Sequence, residues 1–262
     1  MLKKKVKTTA NKCLLHGWNP DRPDHRDYEY KAISKAPKRI PASVDLMEWC
    51  SPVENQSHLQ SCTANALAGA LEFLEKKDLG RYTDFSRLFI YYNVRDMEHS
   101  VNCDTGTQIR HGIKSLVKFG ACPETLWPYD IAKFEYKPSP RCYTSALKHQ
   151  ITSYCRINGL REMRQCLAEG FPFVFGFSVY ESFFSQNMLR TGVLNLPKKT
   201  ENLIGGHAVM AVGYSEAKKR FLVRNSWGTR WGQKGYFTMP YDYLSNTNLS
   251  DDFWTIRRGE KM

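Results

Sequence analysis

Gly205-Gly206-His207-Ala208-Val209-Met210-Ala211-Val212-Gly213-Tyr214 reads as a buried strand, an apolar run too short for a helix and bounded by glycines. Its histidine stands at the start of that run, on a platform rigid enough to fix the ring. Gly205 and Gly206 leave room for another backbone or a substrate to come close. Similar apolar, aromatic and β-branched runs cover 171–179, 220–225 and 235–239, broken by glycines and by charged turns such as Ser215-Glu216-Ala217-Lys218-Lys219. The first half reads differently. Leu67, Leu71 and Leu74 recur at helical spacing within 65–77, with Glu72, Glu75, Lys76 and Lys77 as the charged face and Ser61 as N-cap. Further helices are expected over 86–97, capped by Ser86, over 107–119, stopped by Gly120, and over 160–169. Helices first and strands later predict an α+β chain, helix-rich over about 40–150 and strand-rich over about 151–262.

The 262 residues are 42% hydrophobic and 24% charged with only 17 Gly and 12 Pro, which excludes a disordered, collagen-like or coiled-coil chain. No apolar stretch approaches the roughly 20 residues of a membrane-spanning helix, so no membrane span is expected. The net charge of +12 is concentrated at the start: positions 1–40 hold eleven Lys/Arg against four acids. That pattern reads as a solvated basic arm over 1–39, and no nucleic-acid partner is expected. Lys3, Lys4 and Lys5 are followed by no apolar run of signal-peptide length. The eight cysteines stand singly, with no C-x-x-C pair, so neither a zinc site nor any other metal or cofactor is expected. Together these features place the chain in the cytoplasm or another reducing compartment. Within the arm, Trp18-Asn19-Pro20-Asp21-Arg22-Pro23-Asp24 reads as a docked turn, with Leu14, Leu15, Trp18, Tyr28 and Tyr30 as anchors. A strap along the back of the body is favoured over a plug across a cleft, because turn formers interrupt the segment.

Four side chains could carry chemistry. Cys62, at the first turn of the 65–77 helix, faces unpaired N–H groups and the positive helix end, which favour thiolate. Gln56, six residues earlier, could aim an amide N–H at an oxyanion beside that sulfur. His207 could exchange its proton, and Asn225, in Asn225-Ser226-Trp227-Gly228, could fix its tautomer while Trp227 shields the bond from water. Taken singly, each of these reads more readily as structural.

In combination, Pro52-Val53-Glu54-Asn55-Gln56, Ser61-Cys62, Gly205-Gly206-His207-Ala208-Val209 and Asn225-Ser226-Trp227-Gly228 with Trp231-Gly232 and Gly235-Tyr236 resemble the papain-like cysteine peptidases over about Ile40 to Ile256. His207 and Asn225 follow Cys62 by 145 and 163 positions, close to the spacing of that family. The resemblance implies a two-domain α+β fold over 40–262, a helical left domain and an antiparallel, barrel-like right domain with the active site in the cleft between. It implies Cys62 as nucleophile, His207 as proton partner, Asn225 as orienter and Gln56 with the Cys62 N–H as oxyanion hole. Gly106, beside Thr105, would bind a substrate backbone, and Gly176 and Asp251 would form the wall and floor of a side-chain pocket beside Gly206 and Trp227. The implied activity is hydrolysis of peptide or protein substrates through an acyl-enzyme thioester. A non-catalytic peptide-binding protein on the same scaffold and an acyl-transferring relative are the alternatives. Departures exist: Thr63 stands where the family has an aromatic residue, Leu59 where it has a disulfide cysteine, and Asn55-Gln56-Ser57 forms a glycosylation sequon. The stretch before Ile40 is short for the family's inhibitory pro-segment, which makes 1–39 a strap or a short pro-segment.

Overall fold

A computed structural model describes residues 15–32 and 39–258; the lysine-rich positions 3–12, Leu14 and positions 35–38 lie outside the described residues. In chain order the elements are β1 (Leu15–His16), β2 (Ser43–Asp45), α1 (Cys62–Leu79), α2 (Arg87–Met97), α3 (Ile109–Phe119), α4 (Pro140–Ala146), β3 (Ser153–Arg156), α5 (Gly159–Ala168), β4 (Phe173–Tyr180), α6 (Gln186–Thr191), β5 (Leu203–Ser215), β6 (Arg220–Arg224), β7 (Tyr236–Pro240), α7 (Tyr241–Ser245) and β8 (Ser250–Arg257). The α+β organisation is as the sequence reads. Ser86 caps α2 by accepting from Phe89 N at 3.0 Å, and α3 stops at Gly120, whose φ of +71 suits glycine.

The sheet is antiparallel in the order β3-β8-β4-β5-β6-β7 and open, with β3 and β7 as its ends and no closure into a barrel among the described residues. β5 organises it. Its 13 residues pair with β4 and then β2 along one edge, and with β1 and then β6 along the other. Phe173, Phe175, Phe177, Phe183, Phe237 and Phe253 are buried beneath, with Phe175 stacked on Phe253 at 5.5 Å. Such rings supply the largest apolar burial per residue and clamp β4 to β8.

α1 packs against β5, α2 and α3 and is buried continuously from Cys62 to Glu75. The expected charged face is therefore only partly exposed. Glu72 lies inside, bonded by Ser51 Oγ and by Phe85 N at 3.0 Å, and burial pushes its carboxyl up to about 7. Glu75 is likewise buried and bonded by His149 and Thr83 N. Helical periodicity marks which positions repeat, but not that a second layer covers the polar stripe.

Candidate active site

Cys62 is the first residue of α1 and fully buried, and its Sγ accepts from Ala208 N at 3.3 Å. The sulfur thus lies against β5 one residue from His207. His207 is also buried, and its Nε2 meets Asn225 Oδ1 at 2.8 Å. Asn225 directly follows β6, and the same Oδ1 accepts from Ser226 N at 2.8 Å, which fixes the amide. Trp227 lies tilted beside the imidazole, centroids 5.0 Å apart, and Phe184 stacks on Trp227 at 5.5 Å. The imidazole's other nitrogen, Nδ1, is the one left for proton exchange. Burial pushes the Cys62 thiol up to about 12 and the His207 imidazole down to about 4. The expected thiolate is overridden here: the helix end favours an anion, but desolvation outweighs it.

Gln56 is held on the same side. Its N donates to Ser226 O at 2.8 Å, its Oε1 accepts from Ser226 Oγ at 2.5 Å and its Nε2 donates to Leu59 O at 2.9 Å, leaving one amide proton free. Gln56, His58, Leu59, Phe184, Trp227 and Trp231 line an open cavity of about 340 Å³ on this side of the sulfur.

The other side of the sulfur is filled by the arm. β1 runs parallel to Gly205–Gly206, Thr107 N donates to Gly17 O at 3.3 Å, and Asn19 N donates to Thr107 O at 3.1 Å. Gly17 passes so close to the thiol that a Cβ there would lie 2.5 Å from Sγ. Thr63 Oγ1, at the position where the family has an aromatic residue, shares its proton between Gly17 O at 3.3 Å and Thr107 O at 3.2 Å. The strap along the back is thus corrected for the described stretch: residues 15–19 cross the cleft, and Pro20 and Pro23 come only after the crossing, so the turn formers do not interrupt it.

Trp18 is buried in a pocket whose walls are Gly176 and Gly206; a Cβ at Gly176 would lie 1.9 Å from the indole. The floor is Asp252, whose Oδ2 accepts from Trp18 Nε1 at 3.0 Å and from Asp21 N at 2.8 Å. Asp251, the expected floor, instead turns outward to Arg156 Nη2 at 2.8 Å. The reason is a bulge: Val174 pairs with Trp254 but Gly176 with Asp251, so β8 carries one extra residue there, and Asp252 sits at φ +57. One extra residue inverts the pleat, which strand alternation alone cannot show. Gly106 also differs from its expected part. Its N–H goes to Tyr91 OH at 3.3 Å, and the backbone facing the arm belongs to Thr107 and to Thr105, whose carbonyl accepts from Asn19 Nδ2 at 3.1 Å.

Beyond Trp18 the arm is held by polar and charged contacts and by Tyr30, which is fully buried in the main core, whereas Tyr28, expected as an anchor, is exposed. Asp21 accepts from Trp254 Nε1 at 2.9 Å and from Arg110 N at 3.2 Å, and Asp27 takes Arg110 in a two-pronged ion pair at 2.9 and 2.6 Å. Arg156 reaches Asp251 and Asp252. Burial, reinforced by the neighbouring Asp252, pushes the Asp21 carboxyl up to about 6. The Asp21–Asp252 contact was missed in the sequence because its partners are 231 positions apart.

The papain family cysteine protease model matches residues 40–253. An uncharacterized peptidase C1-like protein of Acanthamoeba polyphaga mimivirus is 43% identical over 92% of this chain and 86% of its own length. Chymopapain of Carica papaya is 27% identical over 82% of this chain and 58% of its own length. Among solved structures, xylellain, a cysteine protease from Xylella fastidiosa, superposes with a TM-score of 0.84 at 42% identity, covering 99% of this chain and all of that one. A procathepsin L2 proteinase of Tenebrio molitor shares the fold at 21% identity, with a TM-score of 0.75 over 94% of this chain and 79% of its own.

Proposed function

The chain belongs to the papain family of cysteine proteases, and from that premise we propose that it hydrolyses peptide bonds through Cys62 and His207 and is held latent by its own residues 15–32. The observation that carries this reading is the seating of Cys62 Sγ against Ala208 N at 3.3 Å, with the adjoining His207 bonded to Asn225 at 2.8 Å. With Nε2 held by Asn225, His207 Nδ1 takes the thiol proton as sulfur attacks the substrate carbonyl carbon. The oxyanion is met by the Cys62 N–H and the free Gln56 amide proton. His207 then returns the proton to the departing amine, leaving a thioester. Water, deprotonated by His207, attacks the thioester carbonyl and releases the carboxylic acid product and the thiol.

The arm opposes this chemistry in two ways. It occupies the place of a substrate chain, and it keeps water from the Cys62–His207 pair, which holds both groups neutral. Displacing it rehydrates the pair and frees the Trp18 pocket. Both donors to Asp252 Oδ2 belong to the arm, so the opened pocket presents a carboxylate oxygen without a partner. A substrate side chain carrying an N–H, such as Arg, Lys or Trp, satisfies it.

The test is incubation of the chain, and of its arm-releasing variant Trp18→Ala, with short acyl-peptide substrates, with and without an epoxide-type thiol reagent. Turnover that stops when the epoxide labels Cys62 is expected. Labelling without turnover favours the peptide-binding alternative, and capture of an added amine in place of water favours acyl transfer. Turnover that survives Cys62→Ala overturns the assignment.

A further inference from the structure

Ser61 occupies the cap position of α1, yet its side chain makes no bond to the first-turn N–H groups, contrary to the expectation from sequence. Its hydroxyl is engaged elsewhere. Asn65 Nδ2 donates to Ser61 Oγ at 3.1 Å, Ser61 Oγ lies 2.5 Å from Tyr129 OH, and Tyr129 OH donates to Gln56 O at 3.0 Å. The phenol has one proton and gives it to Gln56, so the Ser61 hydroxyl must donate to the phenol. The result is a directed chain, Ser61 to Tyr129 to Gln56, with Asn65 donating to the Ser61 hydroxyl and carbonyl and bonded to the phenol as well.

Tyr129 therefore joins the two segments that carry the oxyanion donors, the one ending in Cys62 and the one bearing Gln56. It is itself firmly seated. Arg87 lies over its ring at 4.2 Å, its N–H donates to Glu124 at 2.6 Å, and Arg87 ties Glu124 and Glu54 at 3.2 and 3.1 Å. Burial pushes its phenol up to about 12, so it remains a donor throughout neutral pH.

We propose that Tyr129 is a positioning residue for the oxyanion site: through its bonds to Ser61 and to Gln56 O it sets the Gln56 segment against the start of α1. The proposal rests on the reading of Cys62 and Gln56 given above. Tyr129 touches no reacting atom, and its effect passes through Gln56 and Ser61.

The experiment compares Tyr129→Phe, Ser61→Ala and the double variant in the full-length chain. It measures kcat and KM on a short acyl-peptide, the inhibition constant of a peptide aldehyde, the thermal midpoint, and epoxide labelling of Cys62. For Tyr129→Phe, kcat is expected to fall by about tenfold, less than the loss of an oxyanion donor itself, with KM unchanged. Aldehyde binding weakens by the same factor, because its tetrahedral adduct uses the same site. The thermal midpoint falls by no more than the loss of one hydrogen bond, the one to Gln56 O, brings about. The double variant is no slower than Tyr129→Phe alone. The proposal is overturned if kcat stays within about twofold of wild type, if kcat, KM and thermal midpoint all worsen together, or if the double variant multiplies the two losses. Labelling separates the two levels: failure of the epoxide to label Cys62 in both the wild type and the arm-releasing Trp18→Ala variant refutes the nucleophile, whereas intact labelling with unchanged kcat refutes Tyr129 alone.

Discussion

The two sides of Cys62 are built on different principles. On one side, Gly17 to Asp27 are held by backbone pairing to Thr107, one buried indole and a cluster of carboxylates and arginines. On the other, a cavity of about 340 Å³ stands open between the Gln56–Gln60 segment and the packed rings of Phe184, Trp227 and Trp231. From Gly17 to Asp27 the filled side depends on backbone pairing, on charged groups and on one indole, all of which belong to contacts with the arm itself, while Tyr30, fully buried in the main core, anchors the arm farther along. The open side is preformed, because its rings also cover the His207–Asn225 bond. Latency, on this view, is a property of one half of the cleft only.

The largest effects act at the centre shared by both sides. Cys62→Ala and His207→Ala are each expected to abolish peptide hydrolysis, a loss on the order of 10⁶ in kcat, because nucleophile and base act as a unit. Gln56→Ala should leave more, losing about 10²–10³ in kcat. These variants remove activity from either side equally, so they do not touch the contrast. Trp18→Ala does. Removing a buried tryptophan costs about 3 kcal/mol, which shifts the docked arm by roughly 150-fold toward release. Faster epoxide labelling of Cys62 and faster turnover are expected in the full-length chain. Unchanged labelling with a lowered thermal midpoint would mean that the arm braces the body without closing it.

How far the sequence discloses this arrangement follows from the range of the interactions. Cys62, Gln56, His207 and Asn225 were legible because each stands in a local text whose residues it uses: a helix start, a glycine pair, a strand end. The four long helices and strands β4 to β7 were legible from periodicity for the same reason. β1 and β2 were not, since strands of two and three residues exist only because β5 offers them an edge. Asp252 was hidden by a one-residue bulge, and the role of the arm by contacts such as Asp21 with Trp254, 233 positions apart. Ser61 illustrates a different failure. The residue type and position were right for a cap, but its backbone, at ψ 21, lies outside the extended conformation of the capping Ser86 and Ser185, and its hydroxyl goes to a tyrosine 68 positions on.

The charged hold on the arm yields a pH dependence whose sign can be worked out. Asp21 faces Asp252 and Trp254 from β8, Arg110 from α3 and Arg156 from β3, and the two arginines are shared with Asp27 of the arm. Its carboxyl rises from 3.8 to about 6 on docking. An acid raised in the docked state strengthens docking fully below pH 3.8, and that contribution is lost as pH rises through about 6. His207, pushed down to about 4 when covered, acts in the opposite direction, so the wild-type profile alone does not isolate Asp21. The ratio of labelling rates between wild type and Asp21→Asn does, because His207 and the reactivity of the thiol cancel. That ratio is expected to rise, by up to roughly 100-fold, from pH 4 to pH 7, the neutral asparagine holding the arm where the ionised aspartate lets go. A ratio that stays flat, or falls, rules out Asp21 as the titrating hold.

The smallest expected effect tests the open side. Phe184 is 43% exposed and stacks on Trp227 at 5.5 Å, with Phe183 packing beneath against both Trp227 and Trp231. An aromatic pair of this kind contributes about 1 kcal/mol beyond its area, so Phe184→Ala should cost roughly fivefold and no more. The loss belongs in KM for substrates bearing a large apolar residue on the leaving-group side, since Trp227 keeps its other neighbours and His207 keeps Asn225. Labelling of Cys62 by the epoxide should not respond, because the arm, on the far side of the sulfur, is untouched. A comparable change in labelling would show that the two halves of the cleft communicate, and the division between a releasable side and a preformed one would then fail.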